Sequence, residues 1–111
     1  MIRKNILLVE YDAKSQYALQ SVLQDLGHSV SAYFDFEEAE SFIQHFNLAI
    51  IDVRRPGQQA LEFAAAFKER NPHGRIVFIT ACDTLSPLLQ TVSGSMVLMK
   101  PIDMELLAKL L

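Results

Sequence analysis

The apolar residues of this chain change period repeatedly along its length. Asn5-Ile6-Leu7-Leu8-Val9 is a continuous apolar run that stops at Glu10, and runs of that kind belong to strands buried on both faces. Similar runs follow at Leu48-Ala49-Ile50-Ile51, stopping at Asp52, at Arg75-Ile76-Val77-Phe78-Ile79, stopping at Thr80, and at Met96-Val97-Leu98-Met99, stopping at Lys100-Pro101. Ser29 to Tyr33 alternates instead and predicts a strand nearer the sheet edge. Helical periods lie between. Ala18, Leu19, Val22, Leu23 and Leu26 share one face of a helix predicted from Ala13 to Leu26, with Gly27 placed for a left-handed C-cap. Ala39, Phe42, Ile43 and Phe46 repeat the i, i+3, i+4, i+7 pattern of a second helix. A third runs from about Gln58 to Arg70 and closes at Asn71-Pro72, because the residue before proline disfavours helix. Thr84 to Val92, interrupted at Ser86-Pro87, predicts only a short helix. Asp103 to Leu111 predicts a last one with Asp103 as N-cap.

Strands alternating with helices at about twenty-residue spacing imply βαβ units, right-handed crossovers and a parallel sheet covered on both faces, an α/β fold of three layers. Ligand sites in such sheets form beyond the carboxyl ends of the strands. The residues that matter are therefore Glu10-Tyr11-Asp12, Asp52, Thr80 and Lys100-Pro101.

Composition narrows the setting. The 111 residues carry thirteen Asp and Glu against ten Lys and Arg, a net charge of −3, which argues against a nucleic-acid surface. Cys82 is the lone cysteine, so no disulfide or cysteine-based zinc site forms within the chain, and a reducing, cytoplasmic setting is expected. The apolar run after Arg3 and Lys4 is too short for a signal peptide or membrane span. One domain is expected, without internal linker or repeat.

The strand-end residues form a particular chemical set. Carboxylates suit a hard cation such as Mg²⁺, which also binds phosphate oxygens. A lysine can pair with phosphate as a point charge, and a threonine hydroxyl can donate to it. An aspartate among them can attack a phosphoryl group as nucleophile. Ile6-Leu7-Leu8-Val9-Glu10, Asp52-Val53-Arg54-Arg55-Pro56-Gly57, Phe78-Ile79-Thr80-Ala81 and Lys100-Pro101 occur in that order across nearly the whole chain. On these motifs the chain resembles the receiver domains of two-component response regulators.

The resemblance implies a flavodoxin-like five-stranded parallel sheet of order 2-1-3-4-5. It implies Asp52 as phosphoacceptor, Thr80 as the hydroxyl that follows the phosphoryl group, and Lys100 as its counter-ion. It also implies Mg²⁺ held by Glu10, Asp52 and the backbone carbonyl of Arg54, with Asp12 as a further candidate that can equally serve as a helix N-cap. The implied partners are a sensor histidine kinase that donates the phosphoryl group and an output domain outside this chain, with a homodimer as a further option. No chemistry beyond phosphorylation and dephosphorylation at Asp52 is expected. The abrupt apolar end at Leu110-Leu111 reads as a shortened last helix of a receiver taken from a longer regulator.

The sequence departs from the family pattern at three places. The second acid of the metal pair is Tyr11, neutral near pH 7 and a poor ligand for Mg²⁺. The aromatic switch residue three positions before the lysine is Val97, and a glycine common early in the third helix is Ala60. Arg54 and Arg55 are either solvated loop cations or compensation for the lost acid. In the second case a guanidinium reaching Asp52 or Glu10 would weaken phosphorylation and lower its Mg²⁺ dependence. An alternative function follows from the departures: a pseudo-receiver that binds or dimerises without phosphorylation. A small phosphatase is disfavoured because Glu10 stands at the nucleophile position of its acid-x-acid loop, and a flavin carrier because the first turn lacks a phosphate loop. His28, His45 and His73 are not spaced to share a metal, and Cys82 reads as a small neutral loop residue.

Overall fold

In the computed structural model, which describes residues 3–111, the apolar runs become the strands β1 (Asn5–Val9), β2 (Ser29–Tyr33), β3 (Leu48–Asp52), β4 (Arg75–Thr80) and β5 (Ser95–Met99). They form one sheet of order β2-β1-β3-β4-β5, and every neighbouring pair is parallel. The continuous runs hide a period of two. Leu7, Val9, Ala49, Ile51, Ile76 and Phe78 belong to one core layer, while Ile6, Leu8, Leu48, Ile50, Val77 and Ile79 belong to the other. Covering both faces confines polar residues of the central strands to their ends, Asn5, Asp52, Arg75 and Thr80.

Two helices cover the second layer. α1 (Ala13–Asp25) contributes Leu19 and Leu23, and α5 (Met104–Leu110) contributes Leu107. The opposite layer takes Ala39 from α2 (Phe36–Glu40), Phe63, Ala64 and Phe67 from α3 (Gln58–Arg70), and Leu89 from α4 (Ser86–Leu89). Caps fix several ends. The Asp12 carboxylate accepts from the Ser15 N–H at 2.9 Å, and Asp103 accepts from the backbone of Glu105 and Leu106. Gly27 follows α1 with φ 95°, a conformation that side chains with a Cβ resist.

The second helix is shorter than its periodicity predicts. It ends at Glu40 rather than continuing to Phe46, and His45 lies beyond it with φ 70°. Phe42 leaves the core and stacks on Tyr33 with centroids 5.8 Å apart. The physical reason is Asn71. Its buried side chain accepts from the Phe46 N–H at 2.9 Å and donates to the carbonyls of Ile43 and Phe67. These bonds satisfy backbone groups that a continued helix would have paired internally.

Candidate functional site

The parallel topology brings the carboxyl ends of β1, β3, β4 and β5 to one rim. Glu10 follows β1, Asp52 closes β3, Thr80 closes β4, and Lys100 follows β5. The Lys100 ammonium lies 2.8 Å from Glu10 Oε1 and 3.1 Å from Asp52 Oδ1. Glu10 is fully buried and Asp52 nearly so. One oxygen of each carboxylate, Glu10 Oε2 and Asp52 Oδ2, is buried without a hydrogen-bond partner among the described residues, an arrangement native proteins keep where a further group is to be met.

Burial raises the Glu10 carboxyl from 4.5 to about 7, and Asp52 facing it adds to the rise against the pull of Lys100. Burial alone would lower Lys100, but its hydrogen bonds and charge contacts with Glu10 and Asp52 outweigh that, and its pKa stands above the ordinary lysine value. The two carboxylates thus share the Lys100 ammonium.

Thr80 is fully buried; its hydroxyl donates to the Val53 carbonyl at 3.0 Å and accepts from the Cys82 N–H at 3.0 Å. It therefore joins the backbone after Asp52 to the loop after β4. Gln16 escapes the sequence reading altogether. Buried on α1, it donates to the carbonyls of Glu10 at 3.2 Å and Tyr33 at 2.8 Å, and so pins the turn that carries Glu10. Its only sequence signal is a polar residue next to the apolar stripe of α1.

The other candidates separate. Asp12 is exposed and engaged as the α1 cap, its carboxyl held below the ordinary value by the backbone of Ser15. Among the described residues it makes no hydrogen bond or ion pair with the cluster. Arg54 and Arg55 have different fates. Arg54 places Nε 3.6 Å from Asp52 Oδ2, with its Cζ 4.0 Å from the centroid of the Tyr11 ring. Arg55 turns away: its Nε donates to Cys82 Sγ at 3.1 Å and its terminal nitrogen to Thr84 Oγ1 at 3.1 Å. Hydrogen bonds with Thr84 and Arg55 lower the Cys82 thiol below its ordinary pKa. Val97 is half-buried on β5 opposite Phe78 and packs on the α3 side. A cleft of about 840 Å³ runs from Asp52, Tyr11 and Arg54 along α2 and α3.

The family model for the response regulator receiver domain matches residues 6–111. The chain belongs to the response regulator receiver family. It is 32% identical over 99 residues to the uncharacterized transcriptional regulatory protein YbdJ of Bacillus subtilis, covering 88% of this chain and 44% of that protein. The chain spans less than half the length of the curated relatives it matches. Among solved structures, the BeF3-activated DrrB receiver domain superposes with a TM-score of 0.85 at 21% identity, covering 98% of this chain and 95% of that one. The Thermotoga maritima response regulator TrrA, in complex with Mg²⁺ and BeF, superposes with a TM-score of 0.75 at 26% identity, covering 96% of both chains. The flavodoxin-like order 2-1-3-4-5 that the resemblance implies is the order observed.

Receiver domains typically bind Mg²⁺ near the phosphorylation site. The orphaned oxygens of Glu10 and Asp52 supply donors for a hydrated ion, but the charge does not fit. Two carboxylates already face two cations, Lys100 and Arg54, and among the described residues no group of three or more His, Cys, Asp or Glu is placed to hold a metal.

Proposed function

We propose that this receiver domain accepts a phosphoryl group on Asp52 from the phosphohistidine of a sensor histidine kinase and relays the change to an output domain or partner. The observation that carries this is Asp52 itself: a buried carboxylate at the end of β3, with Oδ1 held by Lys100 and Oδ2 without a hydrogen-bond partner among the described residues. An oxygen with free lone pairs beside a fixed ammonium is the arrangement in-line phosphoryl transfer requires. Phosphorylation adds negative charge beside the buried Glu10 carboxyl, and among the described residues Lys100 is the cation within reach of both Glu10 and Asp52. Thr80 exchanges its bond to the Val53 carbonyl for one to the phosphoryl oxygen, freeing the loop that leads into α4, a helix of four residues. That short helix and β5 form the face whose populations shift.

Glu10, Asp52 and the Arg54 backbone carbonyl would be the ligands of Mg²⁺ here, but Tyr11 stands in place of an acid and Lys100 and Arg54 already face the carboxylates. The output domain lies outside this chain, the setting is cytoplasmic, and no helix among the described residues is long and apolar enough to cross a membrane. Leu88, Met99 and Leu106 are exposed on α4, β5 and α5 and offer an apolar face for a second copy. The pseudo-receiver reading draws on one observation, the guanidinium standing against Asp52 Oδ2. Incubation with acetyl phosphate followed by intact-mass measurement separates the two: a single phosphoryl adduct that disappears in Asp52→Asn supports the acceptor, and no adduct in the wild-type chain supports the interaction module.

A further inference from the structure

Tyr11 has replaced an acid, and its ring is not idle. It is 62% exposed, yet the Arg54 guanidinium lies over it, Cζ 4.0 Å from the centroid, close enough for cation–π attraction. The same guanidinium stands 3.6 Å from Asp52 Oδ2, an oxygen with no hydrogen-bond partner among the described residues. An aromatic face thus steers a cation to the reacting carboxylate at the place where a receiver with two acids would gather a metal. Among the described residues Lys100 already meets both Glu10 and Asp52, and Arg54 meets Asp52 as well. A divalent cation entering this set would be repelled by two positive charges already in place, Lys100 with its side chain 24% exposed and Arg54 at the open rim with its side chain 57% exposed.

We propose that Arg54, positioned by the Tyr11 ring, supplies in place of a metal ion the positive charge that meets the phosphoryl group at Asp52. The proposal rests on the phosphoacceptor reading above. Asp52 Oδ2 attacks the phosphorus of acetyl phosphate; the new O–P bond forms as the P–O bond to acetate breaks, and acetate leaves with that electron pair, with no proton transferred. The guanidinium gives up its long contact with Oδ2 and donates to the equatorial phosphoryl oxygens, a planar donor array matched to that anion. Lys100 keeps Oδ1. Arg54 is then a catalytic residue and Tyr11 a positioning residue. The absent second acid is exchanged for a different way of gathering positive charge.

The test compares the wild-type chain with Arg54→Ala, Tyr11→Phe, Tyr11→Ala and Tyr11→Asp. Each is treated with acetyl phosphate in Mg²⁺ or in excess EDTA, with adduct formation followed by intact mass, and Mg²⁺ alone is titrated against the ¹⁵N-labelled chain with the Val53 amide as reporter. The wild-type rate should be the same with Mg²⁺ and EDTA within about twofold, and Arg54→Ala should lose on the order of 100-fold in EDTA, the scale of removing one charge-stabilising donor. Tyr11→Phe keeps the ring and should keep the rate, while Tyr11→Ala should lose about three- to fivefold through kcat rather than KM. The Val53 amide should show no saturable Mg²⁺ shift in the wild type and a saturable one in Tyr11→Asp. Adduct formation that needs Mg²⁺ in the wild type, or that is indifferent to Arg54→Ala, overturns this assignment and leaves Asp52 as acceptor. No adduct in either condition overturns the acceptor reading and this one with it.

Discussion

The buried pair Glu10 and Asp52 makes a quantitative prediction about pH and stability. Glu10 titrates near 7 in the folded chain against 4.5 for an unhindered glutamate. Below 4.5 the group is protonated in both states and costs nothing. Between 4.5 and 7 the unfolded chain releases its proton while the folded chain keeps it, so stability falls as pH rises through this window. Above 7 the folded chain carries the full penalty, about 3 kcal/mol from the difference between the two values. Glu10→Gln fixes the neutral form, keeps the volume and leaves Lys100 its contact with Asp52. The variant should therefore be more stable than the wild type by up to about 3 kcal/mol at pH 8 and nearly equal to it at about pH 4.5. Urea unfolding of both proteins across that range reads the difference directly. Parallel stability curves for variant and wild type, with no pH-dependent gap, would refute the reasoning, because the gap depends only on the raised Glu10.

Other perturbations follow from the same geometry. Lys100→Met leaves two facing carboxylates without their shared cation and should destabilise the fold by on the order of 3 kcal/mol at pH 8, less at pH 5 where Glu10 takes up a proton; thermal unfolding at the two values checks it. Asn71→Ala removes the hydrogen-bond partner of Ile43 and Phe46 in the segment after α2, and of the Phe67 carbonyl in α3, and should cost about 2–3 kcal/mol in urea unfolding. Asp12→Ala removes the α1 cap and should cost about 1 kcal/mol by the same measurement.

The strands were legible because both faces of the sheet are covered, so Ile6 to Val9 and Ile76 to Ile79 have no polar position to blur the run. The candidate site was legible for the same reason: the first polar residue after each central run marks a carboxyl end, and parallel pairing carries Glu10, Asp52 and Thr80 to one rim. The end of α2 is not legible because Phe42 and Phe46 keep helical spacing while Asn71, distant in sequence, supplies hydrogen bonds that let the chain leave the helix. Tertiary partners of that kind leave no local pattern. Gln16 was missed likewise, since a glutamine beside an apolar stripe looks the same whether it faces water or the carbonyls of Glu10 and Tyr33. The loop cations divide by geometry that spacing does not encode, Arg54 lying over Tyr11 and Arg55 turned to Cys82.

Asp52 as the acceptor is the claim on which the rest depends, and chemical mapping tests it most directly. Acetyl phosphate treatment followed by borohydride reduction converts an aspartyl phosphate to homoserine, which peptide mass spectrometry locates. The account predicts homoserine at position 52 and at no other aspartate, formed in proportion to the intact-mass adduct. Homoserine at Asp12 or another aspartate, or an adduct that leaves position 52 unreduced, would contradict it.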